Sequence, residues 1–480
     1  MSERLTPRDL ALLALEGPTT PMHNGTVEVF DPAESGFDYP RLVALIEERI
    51  AFVPRYRQRL LTVPGGLANP VWVDDAEFEL GFHVRRSALP RPGTPDQLLE
   101  LVGRILSRPL DRTKPLWEAY FVEGLAGGRV AVLTKSHQIL VDGVETVDLA
   151  QVLLDTSPEP KVLEPDEWRP DGSPSPSALI WDALRDSVES PATVISTVRG
   201  STGSLLGAVQ AVAQTVGTLV GAFSSRRPVP DSPVNGELSQ QRRFVGVRTE
   251  LADHRAVRSE HGGAVNDVIL ATVAGGLRGW LMTRAESMGG VRQLRAMVPM
   301  SVIDEDLEAT SLGTQVVGHL VDLPLGEASP VVRLHQVSYS FKAHGETGRA
   351  VSANRLAGIA GFAPTTFHAL GSRLAATERR TGYHLSITNV PGPQFPLYAA
   401  GARMEQTYPC PPLLPGHALA IGVTSYDGGV YYGLTGDRDL MPDLDVLGQC
   451  LVEALEELVE TTTPARPRAP RGRSRPSDPR

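Results

Sequence analysis

The chain has 480 residues, of which 41% are hydrophobic and 21% charged, an ordinary globular composition long enough for two domains, each with its own core. Its two cysteines, Cys410 and Cys450, stand far apart, which excludes a disulfide framework and a CxxC-type metal site; no metal is expected, and a reducing cytoplasm suits the chain. The net charge of −10 is uneven: the last twenty residues carry six arginines against one aspartate, leaving −15 on the remainder, and an acidic body argues against nucleic acid as a partner.

The opening run, MSERLTPRDLALLALE, interrupts its apolar residues with charges, so no export signal is expected. Residues 1–155 then alternate helix-like and strand-like segments. YPRLVALIEERIAFV (39–53) has apolar residues at helical spacing, VWVDD (71–75) and RVAVLTK (129–135) read as strands, and VDLAQVLLD (147–155) reads as a helix. This predicts an α/β domain over 1–155, followed by a linker over 156–243 that begins Pro/Ser/Asp-rich. Within the linker, Ser204–Phe223 runs twenty residues without a charge, long enough to span a bilayer. Gln210, Gln214, Thr215 and Thr218 recur there at spacings of three and four, however. An amphipathic helix, packed between domains or lying on a membrane surface, fits better than a span. A second α/β stretch occupies 244–462, from NDVILATVAGGLRGWLM through LRAMVPMSV, HLSITNV and GGVYYGLTG to a final helix, DVLGQCLVEALEELVE. The Pro/Arg/Ser tail, 463–480, cannot build a core and is expected to be disordered, serving either as a solubiliser or as an attachment to anionic lipid.

The common catalytic signatures are missing: there is no GxSxG, no GxxxxGK[ST], no GxGxxG after a strand and no HExxH. What remains is KSHQILVDG, residues 135–143, where a strand gives way to a helix. A histidine there, His137, can take a proton from a bound hydroxyl near neutral pH. Taken alone, a lone histidine more often fills a structural place, and Asp142 reads equally as the cap of the next helix.

HQILVDG resembles the HHxxxDG signature of the CoA-dependent acyltransferase superfamily, and its surroundings resemble the bacterial wax ester synthase/diacylglycerol acyltransferase family, especially the actinobacterial triacylglycerol synthases. The likeness extends through PMHNG (21–25), NPVWVDDAEFELGFHVR (69–85), RPLDRTKPLWE (108–118), the pair Asn266/Asp267, NVPGP (389–393), YAAGARM (from Tyr398), SYDGGVYYGLTGDRD (from Ser425) and PDLD (from Pro442), in the family's order. The resemblance implies an α/β (α+β) fold of two chloramphenicol-acetyltransferase-like domains with mixed sheets and a tunnel where they meet. It also implies direct transfer of a fatty acyl group from acyl-CoA to diacylglycerol or a fatty alcohol, with acyl-CoA as substrate and no cofactor. His137, Gln138, Asp142 and Gly143 occupy the signature, Asp142 holding the loop through an arginine and Gly143 closing the turn. Pro115, Leu116 and Trp117, with Asn266, Asp267, Asn389, Pro391 and Gly392, would shape the tunnel or its support, although core packing accounts equally well for Pro115–Trp117. The implied location is cytoplasmic, or peripheral on the inner face of the cell membrane or on lipid droplets.

The chain departs from the signature at its second histidine, the residue usually assigned as base, which aligns with Gln138. An amide takes no proton near neutral pH, and neighbouring side chains on a strand face opposite ways. Three readings fit. The strand breaks at Ser136 so that His137 turns inward as base, which is the favoured expectation; or Gln138 only orients the hydroxyl in a slow enzyme; or the chain is a catalytically degenerate acyl-CoA- or lipid-binding relative.

Overall fold

The computed structural model describes residues 3–141, 148–159, 166, 168–172, 174–189, 232–284, 293–303, 314–344, 364–377 and 382–462. The Ser204–Phe223 segment, the tail from residue 463 and the Asp142–Gly143 pair lie outside the described residues.

Helix starts are written locally. Thr6 and Asp9 form a reciprocal capping box at Pro7–Leu15, Thr94 and Gln97 repeat it at Pro95–Leu106, and Asp38 caps Tyr39–Arg49. A proline occupies the first turn of all three, where an N–H would have no helical partner. The helix expected over 39–53 ends at Arg49 and tightens into 3-10 turns, since Pro54 disfavours the helical conformation of the residue before it. The helix expected over 147–155 is a single turn, Leu149–Val152, capped by Asp148.

The strands are β1 (His23–Asp31), β2 (Gln58–Leu61), β3 (Val71–Asp74), β4 (Val84–Ala88), β5 (Trp117–Glu123), β6 (Val130–His137), β7 (Arg242–Glu250), β8 (Leu294–Ile303), β9 (Thr314–Leu323), β10 (Leu385–Pro391), β11 (Tyr398–Ala399), β12 (Ala402–Cys410), β13 (Leu419–Tyr426) and β14 (Gly429–Asp437). They form two mixed six-stranded sheets, ordered β11-β12-β1-β6-β5-β4 and β7-β14-β13-β10-β8-β9, with β2 and β3 as a separate pair. The middle strands β5 and β6 are buried on both faces, which explains their nearly continuous apolar runs. One apolar cluster packs around β1, β5 and β6 and includes Phe30, Phe121 and Leu133. A second joins the other sheet to the Val265–Thr283 and Leu444–Glu460 helices and includes Trp280, Ile387, Leu434 and Leu451.

The first sheet is not made from the first part of the chain alone. β12 pairs antiparallel with β1 from Gly25↔Cys410 to Asp31↔Arg403, so the division expected at residues 155 and 244 is crossed by 398–410. For β12 to reach β1 it must cross the second sheet, and three glycines allow this. Gly246, Gly433 and Gly422 stand opposite one another on β7, β14 and β13, forming a row without side chains. Tyr408 lies over Gly246, and Pro409 lies over Gly422 and Gly433. A Cβ on Gly433 would come within 1.8 Å of the Pro409 carbonyl oxygen, an overlap that only backbone movement relieves. Arg242, at the start of β7, fastens the same seam: its N–H donates to Ser107 Oγ at 2.8 Å, and its guanidinium bonds Asp437 and the Thr19 carbonyl.

Gly433→Ala is therefore expected to cost about 3 kcal/mol or more by overpacking, whereas Gly172→Ala, where nothing lies within 4 Å, should be within about 0.5 kcal/mol of wild type. Urea unfolding midpoints of the two variants check this.

Candidate functional site

β6 ends at the place where the two halves meet. It pairs with β1 (His23↔His137, Asn24↔Ser136) and with β5 (Trp117↔Ser136), so Asn24, Ser136 and Trp117 form one row across three strands. That row floors a narrow cavity, with Gly25, Thr26, Glu118, Thr134 and Lys135 beside it on the same strands; the facing walls are Tyr56, the Asp148–Ala150 turn, Thr365, His368 and Ala369 from the Pro364–Thr377 helix, and Cys410 with Pro411. At about 20 Å³ it holds little more than a single water, so a thioester needs the walls to part.

The floor is rigid. Trp117 Nε1 donates to the Tyr56 carbonyl at 2.7 Å, and His83 stacks on the indole with ring centroids 4.6 Å apart while its Nδ1 lies 2.8 Å from the Trp117 carbonyl. The Tyr56 hydroxyl accepts the Leu149 N–H, which ties the Asp148 turn to the same tryptophan. Asp148 is buried, which raises the pKa of its carboxyl, and it accepts the Gln151 N–H at 3.0 Å as the cap of its helix.

β6 runs unbroken through His137: the residue keeps its register opposite His23, and its N–H donates to the Leu116 carbonyl at 2.9 Å. The expected break at Ser136 does not occur, because the ladder pairs continue on both sides. The His137 side chain therefore points to the face of β6 opposite that of Ser136, and His137 is not among the residues lining the cavity. Its Nδ1 accepts the Ile139 N–H at 3.2 Å, while its Nε2 stands 3.8 Å from Glu16, which Arg112 also holds. Burial, with help from Arg112 and Arg373, lowers the imidazole pKa to about 3, so the ring is neutral and the Glu16 contact is not an ion pair.

Gln138 begins a 3-10 turn and is fully buried, and neither atom of its amide has a hydrogen-bond partner. The turn is held from the other domain: Arg373 donates to the Val141 carbonyl and to Asp9 Oδ1, both at 2.6 Å. Arg373 thus fixes the 138–141 turn; the arginine pairing expected for Asp142 lies outside the described residues.

The other expected residues separate. Trp117 lines the cavity, Leu116 is core, and Pro115 lies just before β5. Asn389 Nδ2 donates to Asn266 Oδ1 at 2.7 Å, joining two motifs 123 residues apart, and Asp267 accepts the Ala264 N–H at 2.9 Å. Pro391 ends β10 and Gly392 follows it, its N–H donating to the Ser425 carbonyl. None of these five is among the cavity's lining residues.

Several lining residues were not picked out from the sequence: Asn24, Tyr56, Ser136, Asp148, Thr365, His368 and Cys410. Asn24 is buried with both amide atoms unpartnered, and His368 is buried with Nε2 unpartnered. The signal for His368 was a helical stripe, Thr365, His368, Ala369 and Ser372, polar or small where a core helix would be apolar. Among the described residues no group of His, Cys, Asp or Glu is arranged to hold a metal ion.

Comparison with known proteins agrees with this architecture. The family model described as the wax ester synthase/diacylglycerol acyltransferase catalytic domain matches residues 5–269, and the WS/DGAT C-terminal domain matches 312–459. A Mycobacterium tuberculosis protein named as a putative diacylglycerol O-acyltransferase is 31% identical over 471 residues, covering 95% of this chain and 90% of its own length. Another from that species, named as the probable diacylglycerol O-acyltransferase tgs3, is 37% identical over 54% of this chain and 97% of itself. The solved wax ester synthase/diacylglycerol acyltransferase from Marinobacter aquaeolei VT8 superposes with a TM-score of 0.68 at 28% identity, covering 96% of this chain and 99% of the other. A condensation domain of the calcium-dependent antibiotic synthetase, 17% identical with a TM-score of 0.54 over 96% and 97% of the two chains, shares the fold alone. Matched by both models and by a relative along nearly its whole length, the chain belongs to the wax ester synthase/diacylglycerol acyltransferase family.

Proposed function

We propose that the chain is an O-acyltransferase that moves a fatty acyl group from acyl-CoA to diacylglycerol or a long-chain alcohol, releasing CoA and a triacylglycerol or wax ester. Family membership along the whole chain is the observation that carries this reading. The interdomain cavity supports it, because buried polar groups left without a protein partner at its wall are placed to meet charge that develops only during reaction. The transfer is direct and uses no cofactor. Cys410 lines the cavity as a neutral thiol, its pKa pushed up by burial, which makes it a poor nucleophile. Gln138 supplies an unpartnered amide in the turn beside the cavity, although it is not itself among the lining residues. The substitution at Gln138 also favours a second reading, a binder of acyl-CoA that has lost turnover.

A lipid acceptor brings the enzyme to a lipid surface. Among the described residues no helix is long and apolar enough to cross a membrane, but Trp181 is 72% exposed on the Pro176–Glu189 helix, and the tail is basic. Interfacial aromatic and basic residues favour peripheral attachment.

Radiolabelled acyl-CoA given diacylglycerol, hexadecanol or no acceptor should yield ester only where an alcohol is present; binding without turnover in every arm would establish the second reading. Mass spectrometry of the protein with acyl-CoA alone should show no acyl adduct, and a stable adduct on Ser136 or Cys410 would overturn direct transfer. Gln138→Leu removes an unpartnered amide at similar volume, so the urea-derived stability should rise by about 1–3 kcal/mol while the transfer rate falls. Deleting residues 464–480 should weaken flotation with anionic liposomes, most clearly at low salt; unchanged flotation would leave the tail as a solubiliser.

A further inference from the structure

An ester-forming site needs a group that accepts the alcohol's proton, and the described residues of the signature segment, 135–141, do not provide one. Gln138 is an amide. His137 has its Nδ1 lone pair engaged by the Ile139 N–H, so its neutral ring carries hydrogen on Nε2, on the side of Glu16, and offers no free lone pair. It also lies on the face of β6 away from Ser136.

Among the described residues lining the cavity there is one imidazole, His368, and it comes from the other domain. Its helix packs against the 138–140 turn and against β1, so it stands at the seam and not behind it. His368 Nδ1 lies 2.8 Å from Thr388 Oγ1, and Thr388 belongs to β10 and not to the cavity wall. In the tautomer whose Nδ1–H donates to that hydroxyl, the lone pair of the neutral ring sits on Nε2, which has no partner although the residue is buried. Ser136 and the unpartnered amide of Asn24 line the same space. Burial alone lowers the imidazole pKa to about 3, which keeps the ring unprotonated at neutral pH until a polar or anionic group enters.

We propose that His368 Nε2 is the proton acceptor of the transfer reaction, supplied across the domain seam in place of the histidine that position 138 lacks. The assignment rests on the acyltransferase reading above. The acceptor's O–H proton passes to Nε2 as its oxygen forms a bond to the thioester carbonyl carbon. The C–S bond then breaks, and the departing thiolate takes the proton from the imidazolium, leaving ester, CoA thiol and a neutral histidine. Thr388 is a positioning residue that holds the ring's orientation.

The test compares His368→Ala in two backgrounds, wild type and Gln138→His, with CoA release measured against diacylglycerol and hexadecanol. In the wild-type background kcat should fall about a hundredfold or more, the usual loss for a missing general base, with KM for acyl-CoA within about threefold. In the Gln138→His background the same change should cost less than about tenfold, since a second imidazole at the turn takes over the proton. A rate loss in His368→Ala that His368→Gln restores would mean that His368 only supports the fold, and would overturn the assignment. Should His368→Ala fail to fold, His368→Gln keeps a partner for Thr388 without taking a proton and is expected to show the same pattern. Wild-type protein that transfers to no acceptor would sink the acyltransferase reading; an active wild type that loses less than about threefold on His368→Ala would sink this assignment alone.

Discussion

The approach of the Pro409 carbonyl to Gly433 is the constraint on which the rest of the molecule depends. Because no side chain stands on Gly246, Gly433 or Gly422, the end of β12 lies flat on the second sheet while its edge completes the first. β1 is thereby fixed between β12 and β6, and β6 carries the row that floors the cavity. The site inherits its shape from a contact that its wall residue Pro411, with Tyr408 and Pro409 just before it, makes with the second sheet. Arg373 and Arg242 act in the same sense through charge-assisted hydrogen bonds, Arg373 reaching Asp9 and Val141 and Arg242 joining Thr19 to Asp437.

Much of the fold could be read from local pattern, because local pattern is what the sheets and helices use. RVAVLTK gave β6, and NDVILATVAGGLRGWLM gave the Val265–Thr283 helix. The family signature likewise pointed to the turn at which the domains meet. Two kinds of information were not local. Strand register decides that Asn24, Ser136 and Trp117 form a row, and no spacing in the sequence encodes which residues of β1, β5 and β6 stand opposite. Packing between distant elements decides that His368 faces that row across 232 residues of chain from Ser136. The side faced by His137 turned on a single residue of strand length, which element-boundary reasoning does not resolve. The exchange of β11 and β12 between the halves was invisible for a related reason: sequence order suggested a boundary, while hydrogen bonding crosses it.

The polar groups of the site are unusual less for their identity than for what they lack. Gln138 and Asn24 each bury an amide with neither atom paired, and His137 and His368 are both kept neutral by burial. Each unpaired group weakens the free protein by about 1–3 kcal/mol. A core selected for stability alone would have apolar side chains there. The arrangement is what a site requires if its hydrogen bonds are to be made with a substrate and in the absence of water, where each is stronger.

The strand exchange also orders events during synthesis. β1 emerges from the ribosome early, but its β12 partner arrives only after residue 410, when about six-sevenths of the chain has been made. Until then one edge of the first sheet presents unpaired N–H and C=O groups, and such an edge recruits other strands. The nascent first half must therefore wait, incompletely paired, for a late segment, and its yield in the cell is set by how well it is shielded during that interval.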